Sequence, residues 1–154
     1  MRPRWDIAHI ITRLELGGAQ RATLYEVAQS RFADGHRHLF FGPGGMLDEE
    51  ARRLDGVMLH PIPELVREVD PAHDIKALTR LVHDLRRIRR RGTARLLVHT
   101  HSSKAGILGR VAARLAGADV IVHSVHGFGH AHVASRALRA VLAWSERFVG
   151  WCCT

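Results

Sequence analysis

The stretch Leu96-Leu97-Val98-His99-Thr100-His101-Ser102-Ser103-Lys104-Ala105-Gly106 decides the fold. Leu96, Leu97 and Val98 read as a buried strand, and Ser102 or Ser103 supplies an N-cap for the helix that follows. That helix starts with a cation. Its first-turn N–H groups already carry partial positive charge, so Lys104 is locally unfavourable there by about 0.3–1 kcal/mol. Either an anion completes the site, or the lysine bends away into water.

Working outward, the same strand-then-helix unit recurs in both directions. Ile7–Thr12 reads as a strand, and Gly17-Gly18 opens a helix running to about Ala33, ended by Gly35. His38–Phe41 is a second strand, stopped by Gly42-Pro43-Gly44-Gly45. Leu47–Leu54 is a short helix and Val57–His60 a third strand. Pro61-Ile62-Pro63 then begins a loop. Pro71 opens a helix whose stripe Ile75, Leu78, Leu81, Val82, Leu85 and Ile88 has the 3.6-residue period.

Leu96–His99 is strand four. The helix Lys104–Ala116 is rich in Ala105, Gly106, Gly109, Ala112 and Ala113, small residues that let it approach a sheet closely. Val120–Val125 is strand five, and a last helix is expected from about Ser135 to Phe148. Five such alternations predict an α/β fold, a Rossmann-like doubly wound parallel sheet in the order 3-2-1-4-5. Strands one and four are then neighbours at the switch point. The loops Gly17-Gly18 and His101–Lys104 fall at one crevice there.

Composition narrows the class. The 154 residues fit one domain, 1–154, with no second-domain boundary. No apolar run reaches the roughly 18 residues of a membrane span, and the N-terminus lacks a signal-peptide core. The cysteines are the adjacent pair Cys152 and Cys153, so no disulfide framework exists and a cytoplasmic setting is expected. The net charge of +8 draws heavily on Arg86, Arg87, Arg89, Arg90 and Arg91. Those cations fit either an anionic membrane surface or a solvated helix end that complements the helix dipole. Aromatic residues make up 6%, and no reader motif is present, so sequence-specific nucleic-acid binding is disfavoured.

Gly17-Gly18 removes two side chains where backbone must approach something closely, but it is neither a Gly-x-Gly-x-x-Gly fingerprint nor a phosphate loop. Twelve histidines are many for this length. His99 and His101 share one side if their strand persists, and imidazoles suit hydroxyl-rich ligands. No known metal-ligand spacing fits, so no metal is expected. His126 precedes Gly127 just beyond strand five and therefore faces the same crevice. No nucleophile–base set or catalytic carboxylate pair can be assigned.

These residues resemble the N-terminal domain of family 4 glycosyltransferases of the GT-B fold, in the bacterial subgroup that builds polysaccharides and lipid-linked glycans. The resemblance rests on Ile10–Gln20, on Ile62–Arg67 with Pro71 and Asp74, on His99–Arg110, on Val122–Phe128, and on Ser145-Glu146-Arg147. It implies a retaining transfer from a nucleotide diphosphate sugar to a glycan or lipid-phosphate acceptor, with no cofactor. It also implies a catalytic contact from His126. Gly17, Gly18, Arg67, His99, His101, Ser102, Lys104 and Gly127 become candidates for substrate binding. In that family a second domain holds the donor nucleotide, and the resemblance does not extend to it. A domain lacking that half, inactive alone and peripheral at the inner face of the plasma membrane, is the expectation. The alternative is a carbohydrate- or lipid-phosphate-binding subunit that partners a separate donor-domain chain.

Overall fold

A computed structural model describes residues 4–30, 34–91, 94–125, 150–151 and 153. The elements are β1 (Trp5–Arg13), α1 (Gly18–Gln29), β2 (Asp34–Gly42), α2 (Asp48–Arg52), β3 (Val57–Pro61), α3 (Pro71–Arg91), β4 (Arg95–His101), α4 (Ser103–Ala116) and β5 (Val120–Ser124). The strands form one parallel sheet in the order β3-β2-β1-β4-β5, as strand–helix alternation predicts. The helix expected over 135–148 lies outside the described residues.

Strand alternation sends successive side chains to opposite faces, so each strand serves two cores. Ala8, Ile10, Phe40, Leu96, Val98 and Ile121 pack under α3 and α4 against Leu81, Leu85 and Ala112. Ile11, Leu39 and Phe41 pack under α1 and α2 against Leu24, Val27 and Leu47. Each fully buried Leu or Ile contributes about 1.5–3 kcal/mol. The small residues of α4 meet their purpose here. A Cβ on Gly109 would lie 2.7 Å from the Thr100 methyl, and one on Gly106 would lie 2.5 Å from the His123 ring.

Several boundaries differ from the hydrophobic pattern, each for a polar reason. The helix α1 ends at Gln29, and Gly35 belongs to β2 rather than ending the helix. The start of β2 is polar and carries no apolar signal. The Asp6 carboxylate fastens it, accepting the His36 amide at 2.7 Å. Gly35 is required because a Cβ there would sit 2.1 Å from the Trp5 carbonyl. Pro61 stays within β3, which is an edge strand that tolerates a missing donor. β4 continues to His101, two residues beyond the expected strand Leu96–His99. Asp70 caps α3, accepting the Ala72 and His73 amides at 2.9 and 3.2 Å.

Candidate active-site crevice at the switch point

β1 and β4 lie side by side with β2 and β5 leading away in opposite directions, so a crevice opens at their carboxyl ends. Gly17 and Gly18 form one lip. Gly17 is extended (φ −172°), and neither glycine has a positive φ, so backbone conformation does not demand them. Packing does not demand them either. Among the described residues, a Cβ on Gly17 meets only the end of the flexible Gln20 side chain, and one on Gly18 meets nothing within 4 Å. Among the described residues no side chain caps α1, and its first turn holds no acidic residue. The unpaired amides there present a partial positive charge to the crevice.

The other lip is the turn from β4 into α4. Ser102 has φ 65° and ψ 157°, a glycine-like conformation that costs a serine about 1–3 kcal/mol. Ser102 makes no cap bond to α4. Its hydroxyl instead meets Thr12 Oγ1 at 2.8 Å, and Thr12 Oγ1 accepts the Ala105 amide at 3.2 Å. The cap of α4 is therefore supplied by the neighbouring strand. This is why the turn stays pinned to β1 despite its strain.

Lys104 has found its anion within the protein. Its ammonium lies 2.5 Å from Asp74 Oδ1 and donates to the Glu68 carbonyl, so α4 is tied to α3 and to the loop before it. Neither expectation for Lys104 is met unchanged: the lysine does not bend into water, and Asp74 supplies the negative charge. Arg67 is exposed and adjoins Glu68, whose carbonyl accepts from Lys104.

His99 and His101 do share a side, with ring centroids 4.2 Å apart. They face α1 rather than the open crevice. His101 is fully buried, so it does not contact a ligand directly. Its Nε2 lies 3.1 Å from Nδ1 of His9, which stands opposite His99 in β1. His99 Nδ1 lies 3.3 Å from Glu26 Oε2 on α1, and its Nε2 lies 2.8 Å from the Ser124 hydroxyl. Burial above all, and then the neighbouring His99, lower the His9 pKa to about 3. His9, Glu26, His99 and His101 bring four donor atoms within 4.8 Å of one another. His9 and Glu26 have no motif spacing to betray them. Only strand pairing brings them to the HxH residues. His126 and Gly127 lie outside the described residues.

The basic run divides. Arg86 donates to the Leu115 carbonyl, and Arg89 reaches the Gly117 carbonyl and Asp119, so both close the end of α4. Arg87, Arg90 and Arg91 are exposed along a groove of about 750 Å³ with Leu78, Val82 and Leu115. Among the described residues no helix is long and apolar enough to cross a membrane.

A family model described as a glycosyl transferase 4-like domain matches residues 17–152. The chain is also 35% identical over 148 residues to a UDP-Gal:alpha-D-GlcNAc-diphosphoundecaprenol alpha-1,3-galactosyltransferase of Escherichia coli. That match covers 96% of the chain and 36% of the relative, so the chain spans about a third of the relative's length.

Proposed function

The chain belongs to the glycosyl transferase 4-like family, and from that premise we propose that it forms the acceptor-side half of a nucleotide-sugar-dependent transferase acting on a lipid-diphosphate-linked glycan. The observation that carries this reading is Gly18. It opens a helix that no described side chain caps, faces space that no described residue fills, and lies across the switch point from the strained Ser102 turn. Glycines needed neither for conformation nor for packing leave room for a bound group. Helix amides aimed into that room favour a diphosphate. The name of the Escherichia coli relative, which pairs a UDP-sugar with a lipid-diphosphate acceptor, supports the same substrate class.

In the transfer, an acceptor hydroxyl oxygen bonds to the anomeric carbon while the bond from that carbon to the donor diphosphate breaks. The diphosphate keeps the electron pair, and the hydroxyl loses its proton. The product retains the anomeric configuration, and the step requires no metal at the diphosphate. Gly17 and Gly18 stand where donor diphosphate and acceptor meet, and leave room for both against the α1 amides. Ser102 and Arg67 bind acceptor hydroxyl or phosphate oxygens, and Lys104 adds positive potential while paired with Asp74. His126 and Gly127 are assigned to the transferred sugar from the family resemblance. His99 and His101 hold the crevice walls from behind.

A diphosphate resting on one open wall stays hydrated, whereas its stabilisation as a leaving group requires enclosure. The reading therefore includes a second, donor-binding half, in the same polypeptide or in a partner chain. Without it the 154 residues turn over weakly or not at all. The exposed Arg87, Arg90 and Arg91 with their apolar neighbours suit docking at the cytoplasmic membrane face, where lipid-linked acceptors reside.

Calorimetric titration of a short-chain prenyl-diphosphate N-acetylglucosamine into the chain tests the acceptor site. Gly18→Val should weaken binding by at least about tenfold, or 1.4 kcal/mol, with an unchanged melting temperature. Equal binding by the variant would remove the Gly18 space from the site.

A further inference from the structure

The histidine cluster behind the crevice takes part in no step of the transfer described above, yet its donors are arranged as ligands. We propose that His9, Glu26, His99 and His101 bind one divalent transition-metal ion, zinc best fitting the set, as a structural brace between α1 and the sheet.

The geometry comes first. His9 Nδ1 and His101 Nε2 are 3.1 Å apart, His99 Nδ1 and Glu26 Oε2 3.3 Å, and His101 Nε2 and Glu26 Oε2 3.9 Å. A tetrahedral zinc with bonds of about 2.0–2.1 Å sets its ligands about 3.3–3.4 Å apart. All four donors already lie within 4.8 Å of one another. Torsional adjustments of under about 1 Å per side chain close the shell.

The supporting bonds come second. A ligating imidazole is normally held by a hydrogen bond at its other nitrogen. The Ser30 hydroxyl gives its proton to the Glu26 carbonyl at 2.6 Å, so it must accept from His9 Nε2, 3.3 Å away. This fixes the His9 tautomer with the Nδ1 lone pair aimed at His101. His99 Nε2 lies 2.8 Å from the Ser124 hydroxyl, which holds the ring with Nδ1 toward Glu26. On binding, the proton between His9 and His101 leaves that contact, and the carboxylate offsets part of the ion's charge.

Ligand chemistry comes third. Three imidazoles and one carboxylate suit zinc or cobalt rather than magnesium or calcium, which prefer all-oxygen shells. The donors come from β1, α1 and β4, whose ends carry the Gly17-Gly18 lip and the Ser102 turn. An ion there would fix the two lips relative to each other from behind. This inference stands independently of the sugar-transfer reading.

The test is metal content of the chain after chelator treatment and dialysis against Zn²⁺, together with the visible spectrum of the Co²⁺ form. We expect one Zn²⁺ per chain, tetrahedral cobalt bands, and a higher melting temperature with Zn²⁺ than without. Glu26→Gln and His99→Asn should each weaken Zn²⁺ binding by at least about tenfold, while His73→Gln on the exposed start of α3 leaves it unchanged. Sub-stoichiometric zinc in the unmodified chain would overturn the proposal. So would equal affinity in folded Glu26→Gln and His99→Asn, because other histidines would then hold the metal.

Discussion

The two faces of the sheet use the same strands for opposite purposes. Under α3 and α4, β1 and β4 contribute Ala8, Ile10, Leu96 and Val98, and the glycines of α4 bring the helix down onto them. Under α1, the same strands contribute His9, His99 and His101 at the centre of the layer. An apolar layer is specified by volume alone. A layer of buried imidazoles costs desolvation, and every nitrogen needs a partner. The first face holds the fold together, and the second shapes the crevice that α1 and β4 enclose.

Four experiments break or sharpen this contrast. The largest effect belongs to the apolar face. Leu81→Ala removes a fully buried side chain beneath α3 and should cost about 2–5 kcal/mol in urea unfolding. A loss below 1 kcal/mol would mean that α3 contributes little to the fold. Next, Gly109→Ala drives a methyl against Thr100 and Ile10 and should cost about 1–3 kcal/mol, although alanine is the better helix former. A stabilised variant would show that α4 is free to lift.

A smaller effect lies at the outer edge of the α3 face, where His38 and His60 are hydrogen-bonded at 3.0 Å. Burial first, then the charge of His60, lower the His38 pKa from 6.5 to about 4. Asp6 opposes the shift, and His36 adds to it. Burial also lowers His60, against the opposing Asp84, while Arg87 and Arg91 of α3 line the same cavity. The folded state thus resists protonation of both rings, whereas the unfolded chain takes up protons below its ordinary value of 6.5. Stability is therefore full above pH 6.5 and falls as the pH drops from 6.5 toward 4. Melting curves across that range should show less of the fall in His38→Gln, and an identical fall would place its cause elsewhere.

The smallest effect on the fold comes from Arg87→Gln, Arg90→Gln and Arg91→Gln together, within about 0.5 kcal/mol. The triple variant should nonetheless lose about 1 kcal/mol of affinity per charge for vesicles rich in anionic lipid. Undiminished vesicle binding would leave these arginines as solvated cations only.

The sequence carried the architecture because local patterns determine it. The Leu78–Leu81–Leu85 stripe, the small residues of α4 and the strand–helix alternation suffice for the sheet order. The site was legible only in part. Gly17-Gly18 and Ser102 stand at the crevice as the alternation requires. His101 turned inward because β4 runs three residues past its apolar run Leu96–Val98, an extent the apolar pattern does not reveal. Glu26 had no signal at all, and Asp74 and Thr12 entered only within the segments of the family resemblance, with no role attached. Each acts on a residue that only the folded sheet brings near, Thr12 on a serine 90 positions away.

The most direct test of the central claim joins this chain to the remaining part of the Escherichia coli relative and follows sugar transfer from UDP-galactose to prenyl-diphosphate N-acetylglucosamine. Turnover is expected for the joined protein, negligible turnover for the 154 residues alone, and a loss of about a hundredfold or more in kcat/KM for Gly18→Val in the joined protein. Full activity in the folded Gly18→Val protein would contradict the assignment of the crevice between β1 and β4 as the place of transfer.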